Sequence, residues 1–342
     1  MVNRFAYRRR SHRVALVAAT AAVLTATAGV GSSHASTTGR PQAGQIVVGL
    51  ITKTDTNPFF VKMRQGAQAE ANAKGIKLLT GAGQYDGDNQ TQVTLIQNYV
   101  NEGVKDILLV PSSTTAIVPT VLAARKKGVV IIALDTPTNP QSAVDALFAT
   151  NNLTAGTLIG KYARAVEGNK AVQIATMDLN PGITVGDLRH NGFVQGYGKL
   201  GSGSSIVCSQ YTQGDQAKGQ TAMETCLQKD PSINLVYTIN EPAAFGAYRA
   251  LKDAGKQKQA LIVSVDGGCT GVRGIESGQI AATSQQYPLK MAKLGVDAIV
   301  AYAKTGKKPH GYTDTGVTLI TNKPVAGVPS QNAAYGLAHC WG

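Results

Sequence analysis

The sequence predicts an α/β protein with two similar, doubly wound parallel-sheet lobes that are joined by a multi-strand hinge. Short apolar runs alternate with longer segments that carry apolar residues at helical spacing, and this alternation occurs twice along the chain. In each half, one apolar run ends at an aspartate. Strands that alternate with helices indicate a parallel sheet covered by helices on both faces.

The first half of the chain begins this alternation. Strands are predicted at 46–51, 76–79, 107–110 and 129–134. The helices predicted between them cover Pro58–Lys74, 88–102 and 114–127. Each helix is followed by a glycine, Gly75, Gly103 or Gly128, which is a common residue just beyond a helix C-terminus.

The second half repeats the pattern. Helices are predicted at 153–166, 185–199, 216–228 and 242–253, and strands at 171–175, 205–207, 235–239 and 261–265. The tail predicts a strand at 280–283, a helix at 289–304 and a strand at 316–319. We therefore expect an N-terminal lobe from 45–150 plus 287–314, and a C-terminal lobe from 151–286 plus 315–342.

The start of the chain indicates an exported protein. Residues 1–35 contain the basic run Arg8-Arg9-Arg10, an apolar stretch over 14–30, and the small residues Ser33 and Ala35, which together are typical of a signal peptide. The apolar stretch is short and interrupted by threonines, which disfavours a permanent membrane span. No cysteine follows it, so we expect no lipid anchor, and 36–44 reads as a flexible leader. We expect an extracytoplasmic protein, either periplasmic or secreted.

The basic charge does not indicate a nucleic-acid partner. The formal net charge is +13, and part of it comes from the arginines of the predicted signal peptide. Elsewhere lysine and arginine are scattered, with no run longer than Arg125-Lys126-Lys127. Nucleic-acid-binding surfaces cluster basic residues with aromatic ones. We therefore expect an ordinary solvated basic surface and no nucleic-acid binding.

The chain has four cysteines, Cys208, Cys226, Cys269 and Cys340. An even number in an exported chain indicates disulfides. Three pairings are possible, of which we favour Cys208–Cys226 with Cys269–Cys340, and the alternative is buried free thiols. No CxxC pair is present and no histidine stands at ligand spacing, so we expect no zinc site.

Two aspartates end equivalent strands of the predicted lobes. The strand at 129–134 stops at Asp135 and the strand at 261–265 stops at Asp266. In open parallel sheets, ligands bind beyond the carboxyl ends of the strands. A carboxylate accepts several hydrogen bonds at once, which suits a polyol with many donors and no charge. Each aspartate has an alternative interpretation as the N-cap of the next helix.

An asparagine and two aromatic residues follow the first strand, in the motif Asn57-Pro58-Phe59-Phe60. Asn57 and Pro58 suit the cap and the first turn of a helix. A capped helix start does not require two consecutive phenylalanines, whereas aromatic rings can stack on the apolar face of a sugar ring. We therefore expect Asn57, Phe59 and Phe60 to face the ligand crevice as well.

The second lobe and the hinge offer further candidates. Asn240 ends a second-lobe strand, and Gln286 lies where the chain crosses back between the lobes. Asp187 and Arg189 lie at the start of a second-lobe helix, where Arg189 offers a fixed fork of donors for a sugar oxygen. The alternative for Arg189 is a surface or interlobe salt bridge.

Common catalytic motifs are absent from the sequence. It contains no GxxxxGK[ST], HExxH or GxSxG motif, and the glycine-rich run 266–271 does not match GxGxxG. Two carboxylates can form a glycosidase pair, but the neighbours here are amides and aromatic residues. We therefore expect a binding protein with no enzyme activity, no cofactor and no metal.

With these motifs, the chain from about residue 45 to 342 resembles the class I, ribose-type solute-binding proteins of ABC sugar importers. The matching motifs are Asn57-Pro58-Phe59-Phe60, Leu134-Asp135, Asn240-Glu241-Pro242 and Val265-Asp266-Gly267. Within that family the chain is most similar to the fructose-binding subgroup. That similarity lies in 51–54, 133–137, 238–244, 264–269, 282–288 and the final Cys340-Trp341-Gly342.

The resemblance implies a type I periplasmic-binding-protein fold that closes over one sugar. It implies a monomer that delivers a monosaccharide to ABC permease subunits in the membrane. The residues it places on the sugar are Asn57, Phe59, Phe60, Asp135, Asn240, Asp266 and Gln286.

The chain departs from the ribose binders at three positions. Ribose binders carry an arginine directly after the first-lobe aspartate, where this chain has Thr136, and a ligand arginine at the position that we align with Asp187. Lys53 stands where a serine is usual. These departures favour a sugar other than ribose, with Lys53 and Asp187 changing which hydroxyls are bound. The similarity to the fructose-binding subgroup implies that the sugar is fructose.

Other functions fit the same fold class. The ligand of a binding protein could be a pentose or galactose, or the chain could serve a sugar-sensing receptor. A LacI-type repressor shares the two-lobe core, but it requires an N-terminal helix-turn-helix where this chain has the predicted signal peptide.

Overall fold

A computed structural model describes residues 44–342 of the chain. The predicted signal peptide and nearly all of the predicted leader lie outside the described residues. Two six-stranded sheets form the centre of the molecule. The first sheet contains β1 (Val47–Thr52), β2 (Lys77–Ala82), β3 (Asp106–Leu109), β4 (Val130–Leu134), β5 (Ala146–Ala149) and β11 (Gly311–Asp314). The second contains β6 (Gln173–Asp178), β7 (Ser205–Tyr211), β8 (Leu235–Thr238), β9 (Leu261–Asp266), β10 (Ala282–Gln285) and β12 (Thr318–Ile320).

The two sheets have equivalent strand orders and differ in the direction of one edge strand. The strand order is β11-β5-β4-β3-β1-β2 in the first sheet and β12-β10-β9-β8-β6-β7 in the second. All neighbouring strands of the first sheet are parallel, and in the second sheet only the β10–β12 pair is antiparallel. The predicted fold class, two doubly wound parallel-sheet lobes, is therefore confirmed.

Helices cover both faces of each sheet. They are α1 (Pro58–Lys74), α2 (Asn89–Asn101), α3 (Val118–Lys126), α4 (Asn152–Glu167), α5 (Thr184–Tyr197), α6 (Gln216–Lys229), α7 (Glu241–Asp253), α8 (Cys269–Glu276), α9 (Pro288–Thr305) and α10 (Ala333–His339), with a short 3-10 turn at Gln141–Ala143. Successive strand residues point to opposite faces. In β3, Leu108 packs with α1 and α9, whereas Ile107 and Leu109 pack with α2 and α3. Each sheet thus has a core on both faces, which explains why inner strands such as β3 and β4 carry continuous apolar runs.

The chain passes between the sheets at 150–151, 286–287 and 315–317. These crossings form the multi-strand hinge. We propose 45–150 plus 287–314 as the first lobe and 151–286 plus 315–342 as the second lobe, and these two terms are used below.

The structure contains elements that the sequence pattern did not predict, namely β5, β11, α8 and α10. Other boundaries shift: α3 begins at Val118 rather than 114, and β12 begins at Thr318 rather than 316. Gly316 has φ 92°, outside the range of strand backbone, so the strand starts after it.

Two disulfides lie in the second lobe. Cys208 of β7 is bonded to Cys226 of α6, with a Cα–Cα distance of 5.6 Å. Cys269, the first residue of α8, is bonded to Cys340 near the C-terminus, with a Cα–Cα distance of 4.9 Å. The structure therefore contains the pairing favoured from the sequence and no free cysteine in residues 44–342.

Candidate functional site

The structure brings together every predicted site residue except Asp187. They line a cavity between the lobes, with about 330 Å³ of unfilled space that is partly continuous with solvent. The lining residues are Lys53, Asn57, Phe59, Phe60, Asp86, Asp135, Leu179, Val185, Arg189, Ile239, Asn240, Asp266 and Gln286.

The two strand-end aspartates occupy unusual backbone conformations. Asp135 directly follows β4 with φ 61°, and Asp266 is the last residue of β9 with φ 140°. Positive φ is uncommon for residues other than glycine and is found preferentially at functional sites. Both residues are almost fully buried, at 4% and 3% exposure. The sheets therefore present two buried carboxyl groups to the same cavity, one from each lobe.

Arg189 lies between these two aspartates. Its Nη2 is 4.0 Å from Oδ1 of Asp135 in the first lobe, and its Nη1 is 3.7 Å from Oδ1 of Asp266 in the second. The guanidinium is held by hydrogen bonds from Nε to Oδ1 of Asn152 (2.8 Å) and from Nη1 to the Ile239 carbonyl (3.0 Å). The interlobe salt bridge considered from the sequence is thus present, and Arg189 lines the cavity at the same time.

Arg189 can reach this place because two helices approach very closely. Gly156 of α4 lies against the backbone of α5, where a Cβ atom would overlap the Arg189 carbonyl. The absence of a side chain at Gly156 therefore permits the packing of α4 on α5 that sets the position of the guanidinium.

Asp187 does not lie with the other candidates. It is exposed on α5 and does not line the cavity, so the expectation that it changes hydroxyl recognition is not supported by its position. Residues two positions apart on a helix face in nearly opposite directions. Because Arg189 points into the cleft, Asp187 points to solvent, and the arginine at the site is Arg189 rather than a residue aligned with Asp187.

Asp266 is held by several neighbours. Gln286 donates a hydrogen bond from Nε2 to Oδ1 of Asp266 at 2.8 Å. Burial raises the pKa of Asp266 to about 6, and the negative charge of Asp135 raises it further. The positive charge of Arg189 and the hydrogen bond from Gln286 lower the pKa and so limit this shift. The carboxyl group is therefore ionised at neutral pH, and protonation near pH 6 removes its charge.

Glu241, the first residue of α7, holds the turn that follows Asp266. Its carboxyl group accepts hydrogen bonds from the backbone N–H groups of Gly267 (2.8 Å) and Gly268 (3.0 Å) and from the Thr283 hydroxyl (2.9 Å). Burial, followed by the Asp266 charge, raises the pKa of Glu241 to about 8. Glu241 thus fixes the loop between β9 and α8.

Asp86 is a site residue that the sequence analysis missed. It lies in the loop after β2, is 7% exposed and faces Lys53, whose Nζ is 3.6 Å from Oδ2 of Asp86. Burial raises the pKa of Asp86, and the Lys53 charge opposes the shift. The sequence signal for Asp86 was weak, because this residue lies four positions beyond the end of β2 rather than directly at a strand end.

Asn57 and Asn240 each cap a helix and also face the cavity. Oδ1 of Asn57 accepts from the N–H of Phe59 (3.0 Å) and caps α1. Oδ1 of Asn240 accepts from the N–H of Ala243 (3.2 Å) and caps α7, while its Nδ2 donates to the Gly214 carbonyl (3.0 Å). Because both also line the cavity, capping fixes their side chains at its wall.

Two phenylalanine rings form an apolar wall of the cavity. Phe59 and Phe60 pack edge to face, with ring centroids 5.3 Å apart, and both belong to the core of the first lobe. Their exposures are 3% and 4%. An apolar wall opposite charged and amide groups suits a ligand that has one apolar face and many polar edges.

Three buried acceptor atoms of the cavity have no hydrogen-bond partner within residues 44–342. They are Oδ1 of Asp86, Oδ1 of Asp135 and Oε1 of Gln286. Buried polar groups are almost always paired, so such atoms call for a partner. Acceptors that converge on one cavity match a ligand rich in hydroxyl donors.

A wider opening adjoins the cavity and shares Asn57, Asp86 and Asp266 with it. Its unfilled space is about 1,340 Å³, much of it open solvent, and Tyr85, Phe245 and Trp341 are the aromatic residues on its walls. The cavity therefore has a mouth on this side of the cleft.

Residues 44–342 contain no group of three or more His, Cys, Asp or Glu side chains that could hold a metal ion. None of the helices in this range is long and apolar enough to cross a membrane.

Comparison with known proteins gives the family. Residues 48–308 match the periplasmic binding protein domain. The chain is 29% identical over 264 residues to the D-allose-binding periplasmic protein of Escherichia coli, which covers 75% of this chain and 85% of that protein. It is 30% identical over 254 residues to the ribose import binding protein of Haemophilus influenzae, which covers 74% and 84%.

A solved structure shows the same fold. An ABC transporter solute-binding protein from Agrobacterium vitis with bound D-fucose has a TM-score of 0.75 and 27% identity, over 83% of this chain and 100% of that one. All three relatives are binding proteins, so the prediction that this chain is not an enzyme is confirmed. The domain match over most of the chain agrees with the two parallel-sheet lobes and with the cavity between them. The chain therefore belongs to the periplasmic binding protein family.

Proposed function

We propose that this protein is an extracytoplasmic solute-binding protein that captures a monosaccharide by lobe closure and delivers it to an ABC importer. The observation that carries the proposal is the convergence of unpaired buried acceptors from Asp86, Asp135 and Gln286 on a cavity walled by two phenylalanines. A sugar ring supplies hydroxyl donors for the acceptors and an apolar face for the aromatic wall.

The relatives support a monosaccharide as the ligand class. The Escherichia coli relative binds D-allose, the Haemophilus influenzae relative is a ribose import protein, and the Agrobacterium vitis structure holds D-fucose. These ligands share a single ring, several hydroxyl groups and no charge. The cavity of this chain offers both acceptors and donors for such a ligand.

We propose D-fructose as the ligand. The support is the similarity of the chain to the fructose-binding subgroup, together with two site residues that differ from those of the ribose binders. Thr136 replaces an arginine, and its hydroxyl donates to Oδ2 of Asp135 at 2.8 Å, which leaves Oδ1 for the ligand. Lys53 adds a buried cation paired with Asp86. A pentose, galactose or another hexose is the alternative, as is a role in a sugar-sensing receptor.

We expect the lobes to close on the ligand because residues of both lobes line the cavity. The first lobe contributes Asp86, Asp135 and the phenylalanines, and the second contributes Arg189 and Asp266. A ligand that contacts both lobes stabilises the closed state because those contacts exist together only when the lobes meet. Micromolar affinity requires about 8 kcal/mol. Hydrogen bonds to charged groups contribute roughly 1.5–3 kcal/mol each, so a few of them with ring stacking are sufficient.

We propose export by the signal peptide at 1–35, a monomeric state, and docking of the closed form on the permease subunits of an importer. The family match supports a location outside the cytoplasm.

A thermal-shift screen tests the function. The mature protein is heated with D-fructose, D-allose, D-ribose, D-galactose and D-fucose in separate samples. A ligand at 100 times its Kd stabilises the folded state by about 2.7 kcal/mol, which raises the Tm by several degrees. We expect the largest shift with D-fructose and recovery of unchanged sugar afterwards. A larger shift with another sugar contradicts the fructose assignment, and no shift with any sugar contradicts monosaccharide binding.

A further inference from the structure

The C-terminal tail is attached beside the ligand site. Helix α10 packs on α8 of the second lobe, and Cys340 is bonded to Cys269, three residues after Asp266. The carbonyl of Trp341 accepts a hydrogen bond from the N–H of Cys269 at 2.9 Å. A covalent bond and a hydrogen bond therefore fix the backbone of Trp341 next to the turn that carries Asp266.

The Trp341 side chain leaves the second lobe and enters the core of the first. It is 5% exposed and belongs to the hydrophobic cluster that contains Phe59 and Phe60. Its ring packs edge to face on Phe59, with centroids 5.3 Å apart and an interplanar angle of 79°. Its indole N–H donates to the Gln286 carbonyl at 2.9 Å. One side chain thus contacts a ligand-site residue of the first lobe and another at a hinge crossing.

A glycine leaves room for the Trp341 ring beside the ligand cavity. Gly268 lies against it, where a Cβ atom would come within 3.3 Å of two ring carbons. The ring also forms part of the wall of the opening that adjoins the ligand cavity. Because Trp341 is anchored to the second lobe and Phe59 begins a first-lobe helix, their contact depends on the relative position of the lobes.

We propose that Trp341 is a positioning residue for the ligand site. Held by the Cys269–Cys340 disulfide, it supports the Phe59 ring and the Gln286 backbone, and it adds an apolar contact between the lobes that is complete only on closure. This inference rests on the proposed function, because it assigns a role in sugar binding. The contact stabilises the bound, closed form, so its loss accelerates ligand release rather than slowing association.

Fluorescence provides a direct test, since Trp341 is the only tryptophan of the chain. The unsubstituted mature protein is titrated with D-fructose and the other sugars of the thermal-shift panel, with calorimetry on the same samples. We expect a change in tryptophan emission whose midpoint equals the calorimetric Kd. Unchanged emission at a sugar concentration that saturates the calorimetric signal overturns the inference and leaves the proposed function intact. No calorimetric binding of any sugar overturns the proposed function, and this inference with it.

Substitutions separate positioning from general stability. We expect Trp341→Ala to raise Kd about tenfold, mainly through a faster dissociation rate, because it removes the aromatic contact and the N–H donor together. Trp341→Phe keeps an aromatic edge and should recover most of the affinity. The melting temperature of each ligand-free variant reports folding. An unchanged Kd and dissociation rate in Trp341→Ala overturns the inference, and if that variant does not fold, the same values in Trp341→Phe and in the disulfide variants decide it.

The two disulfides provide a matched control. Replacing Cys269 and Cys340 by serine releases the tail and should raise Kd in the same direction as Trp341→Ala. Adding Trp341→Ala to that variant should change Kd less than about twofold further, because both changes remove one contact. Replacing Cys208 and Cys226 by serine removes a disulfide that does not line the cavity and should leave Kd unchanged. Equal effects of the two disulfide replacements on Kd would overturn the assignment.

Discussion

Arg189 and Asp135 belong to different lobes, yet Nη2 of the arginine lies 4.0 Å from Oδ1 of the aspartate. The same guanidinium lies 3.7 Å from Asp266 of its own lobe. One cation therefore balances two buried carboxylates, and it does so only when the lobes are close together. Two like-charged carboxylates repel each other when the lobes meet, and the guanidinium between them offsets this repulsion. The cleft can therefore close around a neutral ligand although several charged groups line it.

Removing the charge of Asp266 should weaken binding strongly. We expect Asp266→Asn to raise the Kd for the sugar by about tenfold to a hundredfold at pH 7.5, because hydrogen bonds to a charged acceptor are lost and an amide donor then faces Arg189 and Gln286. Titration calorimetry measures the change. The control is Asp253→Asn on α7, an acid with a side chain that is 47% exposed. Equal Kd values for the two variants would contradict the site assignment.

Asp187 and Arg189 lie two residues apart and should behave oppositely. Arg189→Lys should raise Kd at least about tenfold, since a lysine cannot keep the bonds to Asn152 and Ile239 while facing both aspartates. Asp187→Asn should leave Kd within about twofold, because its side chain points to solvent. Calorimetry on both variants checks this pair, and a large loss of affinity in Asp187→Asn would restore the expectation made from the sequence.

The raised pKa values of Glu241 and Asp266 predict a pH-dependent stability. In the folded state both groups hold protons at pH values where the unfolded chain has released them, at a pKa of about 8 for Glu241 and about 6 for Asp266. The free energy of unfolding should therefore increase as pH is lowered from about 8 to about 5. Urea unfolding of the ligand-free protein measures this slope.

The same experiment on Glu241→Gln provides the control for the pH effect. The amide does not titrate, so the slope between pH 5 and 8 should become flatter than in the unsubstituted protein. A slope of opposite sign in the unsubstituted protein, or an unchanged slope in Glu241→Gln, would contradict the assignment of these buried carboxyl groups.

The buried pair Lys53–Asp86 predicts a non-additive effect on stability. Lys53→Met leaves the Asp86 carboxyl group buried without its cation and should lower the free energy of unfolding by about 3 kcal/mol. Adding Asp86→Asn removes the unpaired charge and should restore part of that loss. Chemical denaturation of the single and double variants measures both values. A double variant that is less stable than Lys53→Met would show that the two residues do not form a stabilising pair.

The parts of the fold that follow from local pattern were predictable. β3 and β4 are continuous apolar runs because both faces of the sheet are covered, and such runs are visible in sequence. β5 was missed because two of its four residues are alanine, which has low strand propensity, and its pairing with β4 and β11 decides its structure. α8 and α10 are short helices whose place depends on tertiary packing.

The site residues likewise fall into those that follow from local sequence pattern and those that depend on tertiary contacts. Asp135 and Asp266 could be predicted because their position is a property of strand ends. Asp86 lies four residues beyond β2, and its importance comes from facing Lys53 across the sheet edge, which no local pattern records. The position of Trp341 between the lobes likewise depends on a disulfide and a distant phenylalanine.

The central claim is that one monosaccharide binds between the lobes. Titration calorimetry of the mature protein with D-fructose tests it most directly. We expect binding of one sugar per chain with a Kd in the micromolar range or below. The absence of binding heat with D-fructose and with every other sugar of the panel, at protein concentrations well above micromolar, would contradict the account.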